Sequence, residues 1–174
     1  MYILSVISFL LLGGFLLLAA MRFGVPAMVS DVYYQLQGCT GSEVIGDKRK
    51  RNYGWVFTAV MVMCSILMMI CMLDTGKGVQ CLAFIGCGGL MFVGAVPNYL
   101  DADAYPIHKG GAIVAAAGCV GWCLSVCWVP TAVIALIYLL LVSCSDDDER
   151  YKPVWYMAEV AGFLDVFVTY WITN

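Results

Sequence analysis

Long apolar runs, broken by short polar stretches, constrain this chain more than any other feature. From Met1 to Met21 no side chain is charged. A helix needs about 20 such residues to cross about 30 Å of hydrocarbon. Further runs cover Trp55–Leu73, Val79–Val96 and Pro153–Ile172. The stretch Ile107–Cys144 is too long for one span and divides near Ser125–Pro130, giving one helix to about Leu124 and another from about Val129. The expected fold is all-α: a polytopic integral membrane protein, a single bundle of six transmembrane helices at about 1–21, 55–73, 79–96, 107–124, 129–144 and 153–172. Pro153 suits the first turn of the last helix, where no amide donor is needed.

Composition agrees. With 174 residues, 63% apolar and only 12% charged, the chain departs from soluble domains, which hold about 45–50% apolar and about 25% charged residues. A net charge of −3 offers no basic face for nucleic acid. The first run lacks Lys or Arg at its start and a small-x-small cleavage site, so it reads as a retained helix rather than a signal peptide. No internal repeat suggests two inverted halves.

The basic residues set an orientation. With six spans, Arg22, Lys48, Arg49, Lys50, Arg51, Lys109, Arg150 and Lys152 share one side, and Lys77 stands alone on the other. The first, third and fifth loops are expected in the cytoplasm and both termini outside, in a cell membrane (the inner membrane in a bacterium). Trp55, Trp128, Tyr151, Trp155, Tyr170 and Trp171 fall near helix ends, where amphipathic rings suit the interface. Lys48–Arg51 marks topology or attracts anionic headgroups. Asp146–Glu149 reads as a solvated loop without the spacing of a calcium loop.

Gly111, Ala115, Cys119 and Cys123 recur every four residues and form a thin seam for close helix packing, within the chain or with a second copy. Gly86, Gly88, Gly89 and Gly94 thin the third helix. Cys119, Cys123 and Cys127 share that face, and thiolates suit Cu(I). One helix face rarely closes a coordination sphere, however, so neither a metal nor a cofactor is expected. There is one histidine, His108, which excludes a three-histidine zinc centre. Cys39 would face a reducing cytoplasm, with no disulfide.

Charged groups inside a span are costly and face the bundle interior. Glu159 and Asp165 fall in the last helix, about 9 Å apart along its axis and on different faces. Each serves either a proton- or ligand-linked site or a hydrogen bond to a neighbouring helix. Ser30 is an N-cap candidate for a short helix carrying Tyr33 and Tyr34. His108 would sit at the cytoplasmic mouth of the fourth helix, with Asp101 and Asp103 near enough in sequence to pair with it. A neutral imidazole there could relay a proton. On this topology Ser30, Asp31, Tyr33, Tyr34, Asp101, Asp103, His108 and Glu159 approach one face.

Several short motifs carry a family likeness: Val29-Ser30-Asp31-Val32-Tyr33-Tyr34, the Gly-Trp-Val-Phe start of the second helix, Phe92–Pro97, and His108-Lys-Gly-Gly-Ala112. In their order the chain resembles an uncharacterised family of bacterial six-helix membrane proteins, a domain of unknown function. That family is distantly similar to the autophagy-modulator-like membrane proteins. The resemblance implies the six-helix fold and no particular activity. A remoter likeness is to the ceramidase and adiponectin-receptor hydrolases. They pair a membrane-embedded Ser and Asp with three zinc-binding histidines. Ser30, Asp31 and His108 match, the other two histidines are missing, and Gln35 stands where relatives carry a second histidine or polar residue.

The expected role is non-enzymatic: binding a membrane lipid headgroup or small amphiphile through Ser30, Asp31, Tyr33, Tyr34, His108 and Glu159. The alternatives are a small transporter or channel using Glu159 and Asp165, a membrane-embedded lipid hydrolase using Ser30 and His108, and a structural or partner-binding subunit.

Overall fold

The computed structural model describes residues 1–38, 53–143 and 153–174. Every element among them is a helix: α1 (Tyr2–Phe23), α2 (Asp31–Leu36), α3 (Gly54–Asp74), α4 (Gln80–Ala95), α5 (Tyr105–Val126), α6 (Trp128–Ser143) and α7 (Val154–Thr173). The expectations for Cys39, Lys48–Arg51, Asp146–Glu149, Arg150, Tyr151 and Lys152 lie outside the described residues.

By length and composition, α1, α3 and α5 can each cross a membrane. The apolar helices α4 and α6 have 16 residues each, about 24 Å of rise. α7 has 20 residues but carries Glu159 and Asp165. The long fourth run breaks at Cys127, whose extended backbone (φ −159°, ψ 112°) separates α5 from α6. Pro153 immediately precedes α7 rather than occupying its first turn.

Successive long helices pack as neighbours from α1 through α3 and α4 to α5, and α7 closes against α1, α5 and α6. At one end, Tyr156 N donates to Ala27 O at 2.9 Å, joining the start of α7 to the chain after α1. This is the polar end, shared by the α4–α5 loop. At the other end the Cys71 thiol meets Met1 O at 3.5 Å. There Lys77 Nζ also donates to Thr173 O and Asn174 Oδ1, and Trp122 Nε1 donates to Lys77 O at 3.2 Å. Both termini therefore share the end of the α3–α4 turn.

α4 and α5 approach most closely, and glycine is the reason. A Cβ at Gly86 would stand 2.6 Å from Cys119 N, and one at Gly89 would stand 2.6 Å from Ala115 N. The seam Gly111–Ala115–Cys119 is thus filled by α4 of the same chain, not left open to a second copy. The core runs through Phe57, Met61, Met72, Trp122 and Phe167. Tyr170 is buried and Trp171 donates its indole N–H to Ser5 Oγ at 3.0 Å. Trp171 thereby packs α7 on α1, with its ring 5.0 Å from Phe9, and Tyr170 lies in the core, instead of joining an outer aromatic belt. Trp55, Trp128 and Trp155 do point outward. So do Val133, Leu136, Ile137 and Leu140 of α6, an apolar surface that water would disfavour.

Candidate functional site at the polar end

α1 stops where Gly24 takes φ 85°, a left-handed conformation that favours glycine. Pro26 then bars renewed helix. Asp31 Oδ2 accepts Met28 N at 3.0 Å and folds the segment back toward the bundle. Ser30 occupies the N-cap position of α2, but its backbone is helical and its hydroxyl makes no cap. Instead Ser30 Oγ lies 2.9 Å from His108 Nε2.

His108 stands in the first turn of α5, and its Nδ1 lies 2.7 Å from Val96 O. A carbonyl only accepts, so Nδ1 carries the proton and Nε2 accepts from the Ser30 hydroxyl. The neutral ring is thereby satisfied at both nitrogens. Asp101 and Asp103 do not reach it. Asp101 accepts Asn98 Nδ2 at 2.6 Å in an exposed loop, and Asp103 is exposed.

Tyr99, which the sequence reading passed over, completes the cluster. Its hydroxyl donates to Asp31 Oδ1. Its ring centroid lies 5.2 Å from that of His108 and 5.4 Å from that of Tyr34, which lies 5.1 Å from Tyr33. Tyr34 accepts Leu100 N at 2.9 Å. Burial pushes the Tyr34 phenol above its ordinary range. Burial does the same for Tyr99, and the Asp31 carboxylate that accepts its hydrogen bond raises it further.

Glu159 reaches the same end from α7, and its Oε2 accepts Val29 N at 2.5 Å. Asp31 Oδ2 accepts the preceding amide, Met28 N, so the two carboxylates are neighbours. Ser30, Asp31, Tyr33, Tyr34, His108 and Glu159 are therefore brought together. Asp165 is not among them. It is buried among α5, α6 and α7, where Thr131 Oγ1 lies 2.8 and 3.1 Å from its two oxygens and Thr169 Oγ1 lies 3.3 Å from Oδ1. The Thr131 bonds join α6 to α7, and the Thr169 bond lies within α7.

Among the described residues no group of three or more His, Cys, Asp or Glu side chains is arranged to hold a metal. The cluster can do two things chemically. It can present carboxylates framed by aromatic rings, and it can hold a serine hydroxyl against an oriented imidazole. Compared with family models, curated proteins and solved structures, the chain matches none.

Proposed function

We propose that the chain is a multi-pass membrane protein whose six long helices all cross the bilayer, with the polar end in the cytoplasm and both termini outside. The polar end binds the headgroup of a membrane lipid or small amphiphile, and the headgroup is cationic. One observation carries this reading. Asp31 and Glu159 accept the consecutive amides of Met28 and Val29, and Asp31 also accepts the Tyr99 phenol, so their hydrogen-bond partners among the described residues are two backbone amides and a phenol, not a cation. Two neighbouring carboxylates with no cation bonded to them among the described residues favour an arriving ammonium group. The rings of Tyr33, Tyr34 and Tyr99 beside them add cation–π attraction, worth about 0.5–2 kcal/mol per contact. The orientation rests on the asymmetry of basic residues.

The test is lipid retained through purification. Amine-headgroup lipids should be enriched over the membrane extract, and Glu159→Gln and Asp31→Asn should each reduce that enrichment several-fold. Retention unchanged in both variants would overturn the reading.

A second reading is favoured by the Ser30–His108 pair, a nucleophile within reach of a base that a third group orients. In an ester hydrolase the imidazole would take the hydroxyl proton as Ser30 Oγ attacks the acyl carbon. The alcohol would leave with that proton, and water would release the acid. A fluorophosphonate probe distinguishes the two readings. Labelling of the wild type that Ser30→Ala abolishes supports hydrolysis, and no labelling removes it.

A further inference from the structure

Away from the polar end, one carboxylate is held deep in the bundle by hydroxyls. Asp165 of α7 is only 3% exposed. Thr131 Oγ1 of α6 lies 2.8 and 3.1 Å from its two oxygens, and Thr169 Oγ1, one turn further along α7, lies 3.3 Å from Oδ1. A charge inside a span is unfavourable without a partner. The cationic side chains among the described residues do not provide one. Arg22, Lys77 and Lys109 are all exposed. Lys77 bonds Thr173 O at the end of α7, about 12 Å along the axis from Asp165.

We propose that Asp165, Thr131 and Thr169 form a binding site for a small monovalent cation, Na+. They offer oxygen alone, the donor that hard cations take. One carboxylate balances one positive charge, whereas a divalent ion would leave a net charge in an apolar interior. Ca2+, close to Na+ in size, holds oxygens at about 2.3–2.6 Å, which sets oxygens at right angles around the ion about 3.3–3.7 Å apart. The hydroxyl–carboxylate separations are already 2.8–3.3 Å. Na+ therefore enters with little outward movement, and the larger K+ needs more. Each hydroxyl then turns its lone pairs to the ion and its proton to the carbonyl four residues back, Cys127 for Thr131 and Asp165 for Thr169. Thr173 already makes that bond, to Thr169 O at 2.7 Å. The break after α5 favours the same charge. α5 ends at Val126, Cys127 is extended, and Pro130 has no amide to return to the Val126 carbonyl. The negative end of α5 thus lies one turn before Thr131 in the chain, and such helix ends help to hold Na+ within membranes.

The experiment measures radioactive sodium bound to the detergent-purified full chain in choline chloride. The wild type should hold one equivalent, displaced by unlabelled Na+ and several-fold less well by K+. Asp165→Asn removes the counter-charge and should weaken binding by about tenfold or more. Thr131→Ala should weaken it several-fold, and Thr131→Ser, which keeps the hydroxyl, should bind nearly as the wild type does. Asp103→Asn, in the exposed α4–α5 loop, should change nothing. Sodium should also raise the unfolding temperature of the wild type, because the ion binds the folded chain alone, and should not raise that of Asp165→Asn. A wild type without saturable sodium binding would overturn the site, a result that depends on no variant folding. So would full binding in folded Asp165→Asn, or equal binding by Thr131→Ala and Thr131→Ser.

Discussion

Ser30 Oγ donates to His108 Nε2 across 2.9 Å, joining residues 78 positions apart in the chain. The bond ties the segment after α1 to the first turn of α5, and Val96 O holds the far side of the ring at 2.7 Å. Truncating one partner leaves the other buried and unpaired, at about 1–3 kcal/mol. Ser30→Ala and His108→Ala should each lower the thermal unfolding temperature in detergent. The double variant should lose less than the sum, with a coupling of about 0.5–3 kcal/mol. Strict additivity would mean the two side chains do not support each other.

The α4–α5 contact should tolerate no added side chain where backbones touch. Gly86→Val and Gly89→Val place a Cβ about 2.6 Å from backbone atoms and should cost about 1–3 kcal/mol or more by overpacking. Gly88→Ala, with nothing within 4 Å of its Cβ, should be close to neutral. Thermal unfolding and monodispersity on size exclusion separate the cases. Equal behaviour of Gly86→Val and Gly88→Ala would contradict the close approach.

Much of this fold is readable from the sequence because α1 and α3 are apolar runs bounded by polar residues. Their limits differ from expectation by only one or two positions. The break between α5 and α6 falls within Ser125–Pro130, where the run exceeds one span. The residues of the polar end were legible one by one, since His108 is the lone histidine and Glu159 a rare charge in an apolar run. Their pairing was not. Asp101 is close to His108 in sequence, but the loop turns it outward, while Ser30 arrives from a distant segment. The Val96 carbonyl carries no side-chain signal, and Tyr99 is one of 10 tyrosines. The α5 seam and the α4 glycines were visible too, but not that they face each other.

Tyr34 and Tyr99 give the polar end a pH signature. Both phenols are raised above the ordinary value of 10.0. The unfolded chain therefore releases these protons first as pH rises, while the folded protein keeps them. Their contribution to stability is complete below pH 10 and declines above it. Unfolding temperature should fall between about pH 10 and 11, and the fall should be shallower in Tyr99→Phe. An identical slope in that variant would contradict the shift.

Asp165 acts as a tie between helices. Thr131→Val removes the α6 donor that lies 2.8 Å from its carboxylate and should cost about 1–3 kcal/mol. Lipid retention at the polar end should be unchanged. A loss of retained lipid with stability intact would join Asp165 to the binding site instead.

The sidedness of the two bundle ends is the most direct test. Asp103→Cys lies exposed in the α4–α5 loop, and Asn174→Cys lies exposed at the opposite end. Each would be introduced singly where Cys39, Cys81 and Cys144 are serine. Intact cells would then be treated with a membrane-impermeant maleimide. We expect position 174 to label from outside and position 103 only after permeabilisation. Labelling of both positions in intact cells, or of neither, would contradict a bundle that crosses the membrane with its polar cluster at one face.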